Sequence, residues 1–157
     1  MSKNNLVVER EKLQFTMSRE FSAPIEKVWK AYTDPEAVAK WWGQRRSKTI
    51  VDKMDVRVGG KWRYIQREKD GTEYAFNGEY IEVEAPTKLT STFEFEPMPG
   101  HIITDHATFE SLPDGRTKMT VVSTFDNLED LDGMIASGME SGAEESWDQL
   151  EEFLTQA

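Results

Sequence analysis

The stretch LEDLDGMIASGMESGAEESWDQLEEFL, residues 128–154, decides the fold. At 100° per residue, Leu128, Ile135, Met139, Gly142, Ala143, Ser146, Trp147, Leu150, Phe153 and Leu154 fall within an arc of roughly 140°. Glu140, Glu144, Glu145, Asp148, Glu151 and Glu152 lie outside it. The spacing predicts one long helix from about Asn127 to Thr155. Asp126 or Asn127 caps its start, and Glu129 and Asp130 suit its positive end. A bend is expected at Gly133 or Gly138, where glycine weakens the helix. The buried stripe is thin in the middle, because Gly142, Ala143 and Ser146 stand where a densely packed helix carries Leu or Ile. Small residues there leave volume under the helix.

Upstream, the pattern is that of strands. Leu13, Phe15 and Met17 alternate with Gln14, Thr16 and Ser18 and lead towards Phe21. Ser22-Ala23-Pro24 opens a short helix with Ile25, Val28, Trp29 and Tyr32 on its apolar face. Asp34-Pro35 opens another, carrying Val38, Trp41 and Trp42 and ending at Gly43. Six strands are then predicted: Ser47 to Val56, Lys61 to Glu68, Tyr74 to Glu84, Lys88 to Glu96, Ile102 to Ser111 and Arg116 to Phe125. The connections are short turns such as Lys69-Asp70-Gly71-Thr72 and Pro113-Asp114-Gly115. Consecutive strands joined this way form an antiparallel sheet. The expected fold class is α+β: a curved antiparallel sheet of six to seven strands wrapped around a long C-terminal helix, with two short helices after the first strand. Residues 1–157 read as one domain, with residues 1–11 as a loose N-terminal arm.

Composition narrows the possible partners. The chain has 157 residues, 38% of them hydrophobic and 11% aromatic, which suits a globular core. Its net charge of −10 repels phosphate backbones and anionic membranes, so neither nucleic acid nor membrane insertion is expected. No run approaches ~18 consecutive apolar residues. The absence of cysteine excludes thiolate chemistry and disulfides, and a reducing cytoplasm is the simplest compartment.

Alternation sorts the strand faces. Leu89, Ser91, Phe93 and Phe95 share one side, as do Met119, Val121, Ser123 and Phe125. Trp62 pairs in direction with Tyr64, and Tyr74 with Phe76, Gly78 and Tyr80. If Ala107 and Phe109 point inward, so do Asp105, Ile103 and His101. Asp105 stands out, because a carboxylate among Ile103, Ala107 and Phe109 is costly to bury without a partner. It sits wet at the sheet end, pairs with an Arg or with His101, or anchors a ligand in an apolar pocket. Trp42, Trp62, Tyr64, Phe76 and Phe93, with Met119, Met139 and Trp147, are the candidate lining. Aromatic rings and flexible Met suit a planar or greasy ligand, and any one of them is equally suited to plain core. Trp41 and Trp42 are adjacent and cannot both face the core.

These segments resemble a known family. Phe21-Ser22-Ala23-Pro24-Ile25-Glu26-Lys27-Val28-Trp29, Thr33-Asp34-Pro35-Glu36 leading to Trp41-Trp42-Gly43, and Asp55-Val56-Arg57-Val58-Gly59-Gly60-Lys61-Trp62 carry the resemblance. So do Gly78 to Leu89 and Gly138 to Leu150. The chain is similar over about Phe15 to Leu154 to homologues of the activator of the ninety-kilodalton heat-shock protein's ATPase, within the START-like, helix-grip superfamily. The resemblance implies a curved sheet gripping the C-terminal helix around a hydrophobic cavity. It does not imply one chemistry, since relatives include lipid and hormone binders, cyclases and co-chaperones.

The leading reading is therefore non-enzymatic binding of a small hydrophobic molecule between the sheet and the C-terminal helix. One alternative is a chaperone partner whose ATPase the chain activates, or another protein-interaction role. The other is a cavity enzyme using Asp105 or Glu140 for acid–base chemistry. No cofactor is expected. His101 and His106 fall on opposite strand faces and make a poor metal pair. A Ser-His-Asp set built from Ser91 or Ser123, His101 and Asp105 lacks a nucleophile elbow. Oligomeric state is not readable.

Overall fold

The computed structural model describes residues 4–156. Eight strands form one curved antiparallel sheet: β1 (Asn5–Glu9), β2 (Gln14–Phe21), β3 (Lys48–Met54), β4 (Lys61–Arg67), β5 (Glu73–Glu84), β6 (Lys88–Phe95), β7 (Ile103–Ser111) and β8 (Thr117–Thr124). Their order is β1-β2-β8-β7-β6-β5-β4-β3. Strands β3 to β8 run as a meander of hairpins, and β2 closes against β8. Helices α1 (Ile25–Thr33) and α2 (Pro35–Trp41) fill the connection from β2 to β3, and α3 (Leu128–Ala136) and α4 (Met139–Thr155) follow β8.

Two expectations need correction. Asn5 to Glu9, expected within a loose arm, pairs along β2 from Asn5 opposite Ser18 to Glu9 opposite Gln14. Leu6 supplies the reason, because it packs against the core and holds the strand to the sheet. The sheet accordingly has eight strands rather than six or seven. The C-terminal helix is broken rather than bent: Gly138 takes φ +86°, a left-handed conformation that ends one helix and starts the next. The break also resets the phase. Leu131, about 100° off the face of Leu150 on an unbroken wheel, is fully buried, and Leu128 is exposed.

Local chemistry explains the helix ends. The Asp34 side chain accepts from Glu36 N–H at 3.3 Å to cap α2, with Pro35 in the first turn. The Asn127 side chain accepts from Asp130 N–H at 2.8 Å to cap α3. The main core joins Phe21, Val28, Val38, Trp41, Phe109, Met119, Trp147, Leu150 and Leu154, so it sits between the inner sheet face, α1, α2 and α4. A second cluster of Phe15, Ile103, Phe125 and Leu131 lies under α3, with Phe93 touching both.

Candidate binding site on the inner sheet face

A row of polar side chains crosses the apolar inner face. Residues directly opposite on neighbouring strands share a face, and here Tyr80 lies opposite Ser91, Ser91 opposite Asp105, and Asp105 opposite Ser123. Ser123 Oγ donates to Asp105 Oδ1 at 2.6 Å. Among the described residues the second carboxyl oxygen, Oδ2, has no donor, and Ser91 Oγ makes no hydrogen bond. Neither atom is sealed in, since Arg19 Nε is the one buried, partnerless side-chain nitrogen or oxygen among the described residues. Burial pushes the Asp105 carboxyl above its ordinary range, with the Ser123 hydrogen bond opposing.

Helices α1 and α4 meet near this row. Trp147 of α4 donates its Nε1 hydrogen to the Tyr32 hydroxyl of α1 at 2.9 Å. The Tyr32 proton itself has no acceptor. Burial raises the Tyr32 phenol well above its ordinary value; the Trp147 bond opposes this and the nearby Asp105 charge adds to it. On β4 and β5, burial likewise raises Tyr64, and pushes Tyr80 up to about 12.

Beside the polar row lies a continuous slab of rings. Tyr74 and Phe95 are 6.1 Å apart between centroids, Phe95 and Phe76 5.1 Å, Phe76 and Phe93 5.5 Å, Phe93 and Trp62 6.0 Å, and Trp62 and Tyr64 4.6 Å. Trp42 lies edge-on to Tyr64 and Phe76, at 5.1 and 5.3 Å. Trp42, Phe76, Ser91, Phe93, Asp105, Val121 and Met139 remain only half-buried, as does Tyr32. The slab runs out to Tyr74, which is exposed at the rim.

Several expected features sit elsewhere. Met119 has no accessible surface and is solid core, since Phe109 covers it from the opposite register position. Trp62, Tyr64 and Trp147 are buried with little free surface. Gly142 and Ser146 do not thin the helix over Asp105. A methyl at Gly142 meets Gln44 at 3.5 Å, and Ser146 Oγ accepts from Gly43 N–H at 3.1 Å. Gln149 donates to the Gly43 carbonyl at 2.7 Å. Small residues on this side of α4 serve close docking of the loop after α2. His101 is exposed and pairs with Asp130 at 2.9 Å, not with Asp105. Trp41 is buried and donates to the Ala31 carbonyl at 2.9 Å, and Trp42 reaches the slab because the helix ends between them. Tyr32 and Ser91 complete the site. Alternation placed Ser91 inward, and periodicity placed Tyr32 on its helix's apolar face, but no pattern marked either as polar partners of Asp105.

Other surfaces offer less. A depression of about 510 Å3 at the β4–β5 turn is lined by Arg46, Glu68, Lys69, Asp70, Thr72 and Tyr74, and shares only Tyr74 with the slab. Among the described residues no three His, Asp or Glu side chains are placed to hold a metal ion. Among the described residues no helix is long and apolar enough to cross a membrane.

A curved antiparallel sheet gripping a C-terminal helix, with two short helices in the first crossover, defines the helix-grip class of START-like domains. The chain belongs to the family described as Activator of Hsp90 ATPase homolog 1-like protein, whose model matches residues 22–155. A solution structure from Arthrobacter aurescens is similar, with 28% identity, a TM-score of 0.90, and coverage of 98% of this chain and 92% of that one. A crystal structure from Mycobacterium smegmatis shows 29% identity and a TM-score of 0.85, covering 96% of each chain. A Staphylococcus epidermidis protein shows 30% identity and a TM-score of 0.81, covering 96% of this chain and 94% of that one. No curated protein matches the chain. Family and fold together support a ligand-binding or interaction module in general.

Proposed function

We propose that the chain is a non-enzymatic, cytoplasmic binder of a small hydrophobic molecule held between the inner sheet face and helices α3 and α4. The ligand body lies against the half-buried rings of Trp42, Phe76 and Phe93 and against Met139, with buried Trp62, Tyr64 and Trp147 packed behind them. Asp105 holds its polar end. One observation carries the reading: an inner-face carboxylate with one oxygen unpartnered yet unsealed, in apolar surroundings. An unpaired buried polar group costs roughly 1–3 kcal/mol, and such a cost is offset when a ligand supplies the partner.

Val121, half-buried between Ala107 and Met17 on the inner face, supplies the test. Hydrophobic small molecules are screened by thermal shift on wild type and Val121→Phe. Wild type is expected to be stabilised by some of them, and the variant to lose the shift while folding normally. If Val121→Phe is destabilised by the ~1–3 kcal/mol typical of overpacking, the space is absent. A chain that takes up no ligand and instead accelerates a chaperone's ATPase would replace this reading with the co-chaperone one.

A further inference from the structure

The inner row carries a preference about the ligand's polar end, resting on the binding reading above. Asp105 Oδ2 has no protein donor, and no basic side chain pairs with this carboxyl among the described residues. Among the described residues the one cation of the inner face, Arg19, is committed: its guanidinium donates to Asp148 Oδ1 at 2.8 Å and to Asn4 Oδ1 at 3.2 Å. Arg19 Nε is sealed from any space. A ligand anion set beside Asp105 would thus meet a second acceptor and no paired counter-charge on the inner face, the one basic group felt by this carboxyl being His106 on the outward face of β7, in surroundings of low dielectric where such repulsion is strongest. The net charge of −10 opposes its approach as well. A ligand donor, by contrast, finds Asp105 Oδ2 and Ser91 Oγ side by side on neighbouring strands, and a ligand acceptor finds the free Tyr32 proton.

We propose that the site selects uncharged hydrophobic ligands bearing a hydrogen-bond donor, such as a phenolic or alcoholic hydroxyl or a primary amide, and rejects carboxylates. A fatty acid or other lipid anion is then the wrong class of ligand, although its hydrocarbon body suits the slab.

The test is a matched series with one ring system: naphthalene, 2-naphthol, 2-naphthamide, methyl 2-naphthoate and 2-naphthoate, titrated at neutral pH by calorimetry. Wild type is expected to bind the hydroxyl and amide compounds at least ~10-fold, or about 1.4 kcal/mol, more tightly than the carboxylate. The neutral ester, with no donor, should fall between them. Asp105→Asn keeps the shape and the acceptor for Ser123. It should raise naphthoate affinity about tenfold and leave naphthalene unchanged. Naphthoate binding wild type as tightly as naphthol overturns the proposal while leaving the binding reading intact. An ester equal to naphthol overturns the requirement for a donor. If no member binds, naphthalene included, the binding reading fails and this proposal fails with it. The wild-type comparison of ester and carboxylate decides the charge question even if Asp105→Asn does not fold.

Discussion

Gly78 shows how one residue sets the slab. A side-chain carbon there would overlap the Thr92 carbonyl and the Trp62 indole nitrogen. Trp62 Nε1 donates to that same carbonyl at 3.2 Å, so the bare backbone of Gly78 lets the ring lie under β5. Gly78→Ala is expected to destabilise the protein by ~1–3 kcal/mol, the usual cost of overpacking, and urea denaturation measures it. Unchanged stability would mean that the β6 backbone at Thr92 and the Trp62 ring both shift aside without cost. Asp105 makes a prediction in pH. Burial raises its carboxyl above the ordinary 3.8, so the folded state holds its proton to higher pH than the unfolded chain does. Stability from this group is whole below the ordinary value and is lost as pH rises through the raised one. Asp105→Asn does not titrate. The stability of the variant relative to wild type should therefore increase as pH rises from about 4. A difference that stays flat as pH rises contradicts the burial of Asp105.

At the scale of elements, α4 has two faces with different work. Trp147, Leu150 and Leu154 press on the core, and Trp147 meets Phe21 edge-on at 5.5 Å between centroids. The neighbouring face is stitched to the loop after α2. There Arg45 N–H donates to Glu145 at 2.7 Å, and the Arg45 side chain pairs with Glu152. Gly142 stands at this seam without needing to be glycine: its backbone is not in the left-handed region, and an added methyl makes ordinary contact with Gln44. Gly142→Ala should stabilise the protein by roughly 0.5–1 kcal/mol, the helix-interior penalty of glycine, as read by chemical denaturation. A loss instead would show that Gln44 cannot give way. Leucine at this position would crowd the loop seam, which makes it a poor probe of the inner space. That distinction was invisible in the sequence, because a small residue on a helix face reads the same over an empty space as under a closely docked loop.

For the whole molecule, the strand meander and the helix grip were legible because alternation, turn residues and the apolar helical stripe all pointed one way. Strand β1 was not, since Asn5 to Glu9 carries little alternation and is held by pairing to β2 and by Leu6 alone. Asp105 was visible as a carboxylate among apolar neighbours, but its partner Ser123 is set by the register between β7 and β8, which no local pattern encodes. Arg19 is the harder case: on the inner face between Met17 and Phe21, it is only 5% exposed. Its partner Asp148 stands on α4, so this pair clamps the helix to the far end of the sheet. The two ends are unequal, with the Arg19 side chain 4% exposed and that of Asp148 31%. Removing the buried member leaves a carboxylate that water can reach, and Arg19→Met keeps most of the packed stem. Removing the exposed member leaves a guanidinium buried with Asn4 and the Phe21 ring beside it but no counter-charge, and breaking a buried pair in that sense costs about 3–5 kcal/mol. Asp148→Ala is therefore expected to destabilise the protein by that amount, and Arg19→Met by distinctly less, with both measured by urea denaturation at one pH. Equal losses would mean that the clamp acts through packing rather than charge. A larger loss for Arg19→Met would place Asp148 as the member that the fold cannot leave alone.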